Sequence, residues 1–220
     1  MNNLPCKPTP KGRPPASKGE DKRKCILDNA LTLFAQQGVS ETSIAQIAHA
    51  SGVTSAMVHY YFHNREGLLN ALVNECLAPR VQYIWSCVTK DSLKNPRQIV
   101  TDIITRFLEV VEELPQLPQL WYREIFPING CLRERCMQHL PLEKFEKLRD
   151  SLSDAQQKGL LHPQISPDLV IVSVISLIMV PLSTQKHLPN MPGLPVLEKD
   201  RIGKHALTLI LKGIFSEKGK

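Results

Sequence analysis

The chain has 220 residues, of which 42% are hydrophobic and 22% charged, with a net charge of +6. That is the length of one large domain or two small ones and the composition of a globular protein, which excludes disordered, collagen-like and disulfide-scaffold classes. The longest apolar stretch, Leu169 to Leu182, is shorter than the roughly 20 residues of a membrane-spanning helix, so no membrane partner is expected.

The charge is unevenly placed. Residues 1–24 hold seven Lys and Arg side chains against Glu20 and Asp21, which leaves the remaining chain near neutrality. Five prolines by residue 15 make residues 1–19 an extended basic arm. Such an arm suits a polyanion, and a solubilising tail is the plain alternative. No apolar run accompanies it, so no secretory signal is expected and the location is expected to be cytoplasmic. The six cysteines form no CxxC pair, which leaves free thiols as the expectation.

Helical periodicity begins near Asp21. Ile26, Leu27, Ala30, Leu31, Leu33 and Phe34 share one apolar face, and Gly38 stops the helix. Thr42 is placed to cap a short helix, Ser43 to Ala50, with Ile44, Ile47 and Ala48 inward. Ser51-Gly52-Val53 reads as a tight turn, with Gly52 permitting positive φ. Thr54 caps a second short helix to about Phe62, with Val58 and Phe62 inward, and Asn64 caps a long helix that buries Leu68, Leu69, Leu72, Val73 and Cys76.

Helices continue to the end. Pro96 opens one carrying Ile99, Ile103, Ile104, Phe107, Val110 and Val111, and Pro115 and Pro118 interrupt it. Shorter pieces follow at Leu120 to Phe126 and Cys131 to His139, then a helix from Pro141 to Gly159. Ser166-Pro167-Asp168 starts a helix to about Gln185 that is apolar on nearly every side, and a last helix spans about Leu197 to Phe215. No segment alternates with period two, so the fold class is all-α.

Two short helices joined by Ser-Gly-Val behind a supporting helix form a helix-turn-helix pattern. The outer side of its second helix carries Thr54, Ser55, Met57, His59 and Tyr60, groups able to reach phosphates and base edges in a major groove. Here the chain resembles the TetR-type transcriptional regulators. The resemblance lies in Ile26 to Gly38, in Glu41 to Val53 (ETSIAQIAHASGV), in Val58 to Leu69 (VHYYFHNREGLL) and in the arm triplet Gly12-Arg13-Pro14. It covers roughly residues 12–75.

The resemblance implies a DNA-binding role for Thr42, Ser43, Thr54, Ser55, Met57, His59, Tyr60 and Tyr61. It also implies a phosphate contact for Arg65, where the family usually has a Lys, and minor-groove entry for Arg13. His59-Tyr60 reverses the more frequent order of the two residues, and Thr54-Ser55-Ala56 lacks a Lys common there. The expected partners are a double-stranded DNA operator, a second copy of the chain and a small-molecule effector. The domain reading is an arm at 1–19, a helix-turn-helix domain at 20–66 and a helical ligand and dimer domain at 67–220.

Within that last domain, Trp85, Phe107, Trp121, Tyr122, Phe126 and Met137 are the group expected to line a ligand cavity, against ordinary core as the plain reading for any one of them. Arg106, Arg123, Glu124 and His139 are its candidate polar contacts. The all-apolar helix near 167–185 and the helix near 197–215 form the expected dimer surface, which would set two recognition helices on one DNA face. His59 and His63 are four apart but lack a Cys or carboxylate at matching distance, and Cys131 and Cys136 are free thiols rather than a switch. No catalytic constellation or phosphate-binding glycine loop is legible, so neither enzymatic activity, cofactor nor metal is expected.

Overall fold

A computed structural model describes residues 16–184 and 198–216. These residues are helical, with one isolated antiparallel bridge between Leu161 and Phe215 and no strand. The fold is all-α, as the sequence predicts. The described residues fall into two compact units. One holds the residues up to Pro79 together with Arg123–Gln138, and the other holds Arg80–Tyr122 and the residues from His139 onward.

In the first unit, α1 (Ala16–Gln37) starts five residues earlier than the periodicity suggests. It packs on α2 (Ile44–Ala50), which packs on α3 (Ser55–Phe62), which meets α4 (Arg65–Ala71). The apolar faces of these helices close one small core, in which Ile26, Phe34, Ile47 and Leu68 are wholly excluded from solvent. Burying each such side chain contributes about 1.5–3 kcal/mol. The helix started by α4 passes through a π-helical stretch, Leu72–Leu77, before α5 (Ala78–Trp85). Periodicity does not distinguish that widened turn from α-helix.

Capping differs by one residue from expectation at α2. Ser43, not Thr42, is the N-cap: its hydroxyl accepts from Gln46 N–H, and the Gln46 side chain accepts from Ser43 N–H, a reciprocal capping box. Thr42 is buried beneath, donating its hydroxyl to Gly38 C=O at 2.7 Å and accepting from Gln37 at 3.1 Å. The caps at Thr54 and Asn64 are as predicted. Gly38 and Gly52 both take positive φ, 96° and 64°.

In the second unit, α6 (Pro96–Glu113) supplies Ile99, Val100, Ile103 and Ile104, all with no exposed surface. The predicted Leu120 to Phe126 helix is instead α7 (Leu117–Leu120) followed by a π-helical stretch, Trp121–Ile125. In the first unit, the predicted Cys131 to His139 helix shortens to α8 (Arg133–Met137). Back in the second unit, α9 (Leu142–Gln157) follows Pro141 as its N-cap and packs on α6 and α10.

Helix α10 (Pro167–Thr184) packs against α11 (Lys199–Ile214), α7 and α9. It buries Val170, Ile171, Val174, Ile178, Met179 and Leu182, while Leu169, Val172 and Val180 on the other side are 58%, 56% and 51% exposed. With 18 residues and a mean hydropathy of 1.9, α10 is long and apolar enough to cross a membrane by length and composition, contrary to the expectation that it is too short. Its one-sided packing is that of a core helix with an apolar outer stripe.

Candidate nucleic-acid interface

Helix α3 sorts its residues by turn. Val58 and Phe62 are buried, whereas Ser55, Ala56, His59 and Tyr60 lie on one exposed face, with Met57 and Tyr61 half-buried at its margins. Tyr60 is 78% exposed and meets Tyr61 edge-on, with ring centroids 5.3 Å apart. Apart from that edge contact, the ring stands in water. Thr54 and Ser43 use only the acceptor side of their hydroxyls for capping, which leaves each O–H available as a donor.

His59 Nδ1 lies 3.0 Å from His63 C=O. A carbonyl only accepts, so Nδ1 is the donor in this contact. His63 itself has φ 64° and ψ −55°, and Asn64 N–H donates back to Phe62 C=O at 2.7 Å. That is a γ-turn of the positive-φ kind, a rare and strained bend that ends α3 abruptly. The bend brings α4 tight against it: a Cβ on Gly67 would sit 2.0 Å from Phe62 C=O.

Two expected DNA contacts are turned inward. Thr42 is 1% exposed, and its hydroxyl is committed to Gly38, so it offers no phosphate contact. Arg65 is half-buried and donates Nη1 to Thr42 C=O at 2.6 Å and Nη2 to Val39 C=O. Its guanidinium fastens the α1–α2 turn to the start of α4 rather than pointing at a phosphate. Arg23, one of the seven basic residues in 1–24, pairs at the surface with Glu75 on the π-helical stretch, at 2.7 Å for Nη2, and lies 4.8 Å over the Phe62 ring. That hydrogen bond raises its pKa above the usual guanidinium range. Arg13 lies outside the described residues.

The residues expected to line a ligand cavity are divided between the two units. Phe126 and Met137 belong to the first unit, whereas Trp85, Phe107, Trp121 and Tyr122 belong to the second. Trp85 is 3% exposed and stacks on Phe145 with centroids 3.9 Å apart, so it is core. Tyr122 and Phe126 are 62% and 63% exposed. Glu124, which the sequence offers as a polar ligand contact, is engaged elsewhere. Its carboxylate is buried and accepts from Val39 N–H at 2.8 Å and from Cys131 N–H at 3.3 Å, which draws Arg123–Gln138 into the helix-turn-helix unit.

Arg106 is likewise engaged with Tyr83 C=O and Ser86. A recess of about 310 Å³ in the second unit is walled by Leu93, Pro96 and Leu160 with Lys94, Lys147 and Asp154 at its edge, and includes none of the predicted aromatics. Among the described residues no group of three His, Cys, Asp or Glu is placed to hold a metal ion. Burial pushes the Cys136 thiol up to about 12, which keeps it protonated and unreactive near neutrality.

The exposed face of α3, the two caps and the tight turn are the parts of a DNA-reading helix-turn-helix. A family profile described as "Bacterial regulatory proteins, tetR family" matches residues 26–72, the stretch that builds these parts. Among curated relatives, the probable HTH-type transcriptional regulator YttP of Bacillus subtilis is 28% identical over 120 residues, spanning 54% of this chain and 58% of its own length. The HTH-type transcriptional repressor KstR2 of Mycolicibacterium smegmatis is 22% identical over 206 residues, spanning 92% and 95%. Among solved structures, HlyIIR, a hemolysin II transcriptional regulator, superimposes with a TM-score of 0.64 at 24% identity, covering 90% of this chain and 99% of that one. At that identity the likeness shows the fold. The profile makes residues 26–72 a TetR-type helix-turn-helix, and the relatives that this chain resembles over most of its length are DNA-binding transcriptional regulators.

Proposed function

We propose that the protein is a ligand-responsive repressor that binds a palindromic operator as a homodimer and is released by a small molecule. The observation that carries the DNA half is the face of α3. Ser55, His59 and Tyr60 stand exposed on a helix whose other side is fixed by Val58 and Phe62. Ser43 and Thr54 add hydroxyl donors at two helix starts, where backbone N–H groups also favour phosphate. Met57 and Tyr61 flank the contact, and Arg13 reaches the minor groove from the arm.

The dimer half rests on α10. Its exposed Leu169, Val172 and Val180 form an apolar stripe, continued by the half-exposed Leu209 of α11. Covering such a stripe with its two-fold copy follows from the hydrophobic effect and sets the spacing of two α3 helices. The protein so formed works in the cytoplasm.

The test is enrichment of double-stranded DNA from a random library by the full-length protein, followed by gel shifts over a salt series. Palindromic enriched sequences, affinity falling steeply with salt, and loss on Tyr60→Ala with an unchanged melting temperature support the reading. Enrichment of no sequence, or a monomer in sedimentation at micromolar concentration, refutes it. A second reading, a DNA-binding protein of the same fold without an inducer, is favoured by the recess of the second unit, whose lining includes none of the predicted aromatics. A melting-temperature rise with a small-molecule panel decides against that second reading.

A further inference from the structure

Among the described residues, Glu124 is the one charged side chain that is buried, at 6% exposure. A carboxylate out of water persists only where it is hydrogen-bonded, and here both oxygens are used, Oε1 by Val39 N–H and Oε2 by Cys131 N–H. The fit is close: a Cβ at position 38 would lie 3.1 Å from Oε1, and Gly38 already needs φ 96°.

Val39 is therefore held at both ends. Its N–H meets Glu124, and its C=O meets Arg65, which also holds Thr42 C=O. Arg65 is the first residue of α4, two positions after the γ-turn that ends α3. The same segment takes a second grip on α4: Arg135 pairs with Glu66 and donates to Asn70 Oδ1 at 2.8 Å. Residues 123–138 thus bracket α2 and α3, touching the turn before α2 and the helix after α3. Both ends of this segment run straight into the second unit, at Tyr122 and His139.

We infer that Glu124 is a positioning residue for DNA binding: through Val39 and Arg65 it sets the frame in which α3 is held. The inference rests on the DNA-binding reading above.

The test uses the full-length protein with Glu124→Gln, which keeps size and one acceptor but turns an NH2 toward one of the two amides. Double-stranded DNA enriched from a random library by the wild-type protein is the probe. The variant is expected to keep its helix content. Amide exchange at Val39 and Cys131 speeds up about tenfold or more, as for loss of a hydrogen bond to a charged group, while Ile26 to Phe34 stay protected.

Affinity for the enriched DNA falls about tenfold or more, and the gap to random DNA narrows, with the salt slope unchanged because no phosphate contact is lost. Wild-type affinity in folded Glu124→Gln overturns the inference, as does faster exchange spread evenly through the unit. Should Glu124→Gln not fold, Arg135→Ala, which removes the second grip at the surface, carries the test. It narrows the gap between enriched and random DNA at unchanged salt slope, and an unchanged gap overturns the inference. If the wild-type protein enriches no DNA, the DNA-binding reading fails and takes this role with it. Exchange at Val39 then tells that failure from the absence of the Glu124 contact.

Discussion

Replacing Arg65 with Ala separates two roles that the sequence leaves confounded. The guanidinium donates to Thr42 C=O at 2.6 Å and to Val39 C=O. A hydrogen bond to a charged group contributes about 1.5–3 kcal/mol, and the two share one side chain, so their loss is not additive. The expected destabilisation is about 2–4 kcal/mol, which lowers the melting temperature by about 4–16 °C at roughly 2–4 °C per kcal/mol for a chain of this size. Arg65→Lys keeps the charge, but its single ammonium replaces a two-pronged fork, so it is expected to fall between the two.

Thermal melting by circular dichroism reads the first effect, and the salt dependence of DNA binding reads the other. A residue acting only on phosphate leaves the melting temperature unchanged and reduces the salt slope by about 1. A shift below about 1 °C in Arg65→Ala would therefore refute the internal role argued from these distances.

Gly67→Ala is expected to be among the most damaging small substitutions, because the new methyl would lie 2.0 Å from the backbone oxygen of Phe62. A cost of about 3 kcal/mol, at the upper end for overpacking, should show in urea unfolding. His63→Gly is expected to raise the melting temperature by about 1–3 °C, since relief of positive φ at a non-glycine residue outweighs the added freedom of the unfolded chain. An equal or lower melting temperature would count against the γ-turn.

For Cys136, whose thiol is pushed from 9.0 to about 12, the unfolded chain ionises first as pH rises. Its contribution to stability is complete below about pH 9 and shrinks toward pH 12, and Cys136→Ser should flatten that decline in a pH series of melting curves. The same shift predicts that Cys136 resists alkylation at pH 7.

The helices, their order and most of their ends were legible in the chain because the signals are local. Apolar residues three and four apart built α1 and α6, a proline opened the helix at Pro96, and Ser51-Gly52-Val53 could only turn. The exposed face of α3 was equally readable, since Val58 and Phe62 face the core and their neighbours must then face away. The tertiary structure alone decided where long polar side chains go. Arg65 was implied as a phosphate contact by its place in the motif, yet it reaches 23 residues back to Thr42 C=O, and Arg23 reaches 52 residues on to Glu75. Glu124 looked like a pocket residue, yet it crosses 85 positions to accept from Val39 N–H. Helix periods and caps are set by neighbours within about four residues. The partner of a guanidinium or carboxylate is set by which backbone groups folding leaves unpaired beside it, and that is known only once the helices have packed.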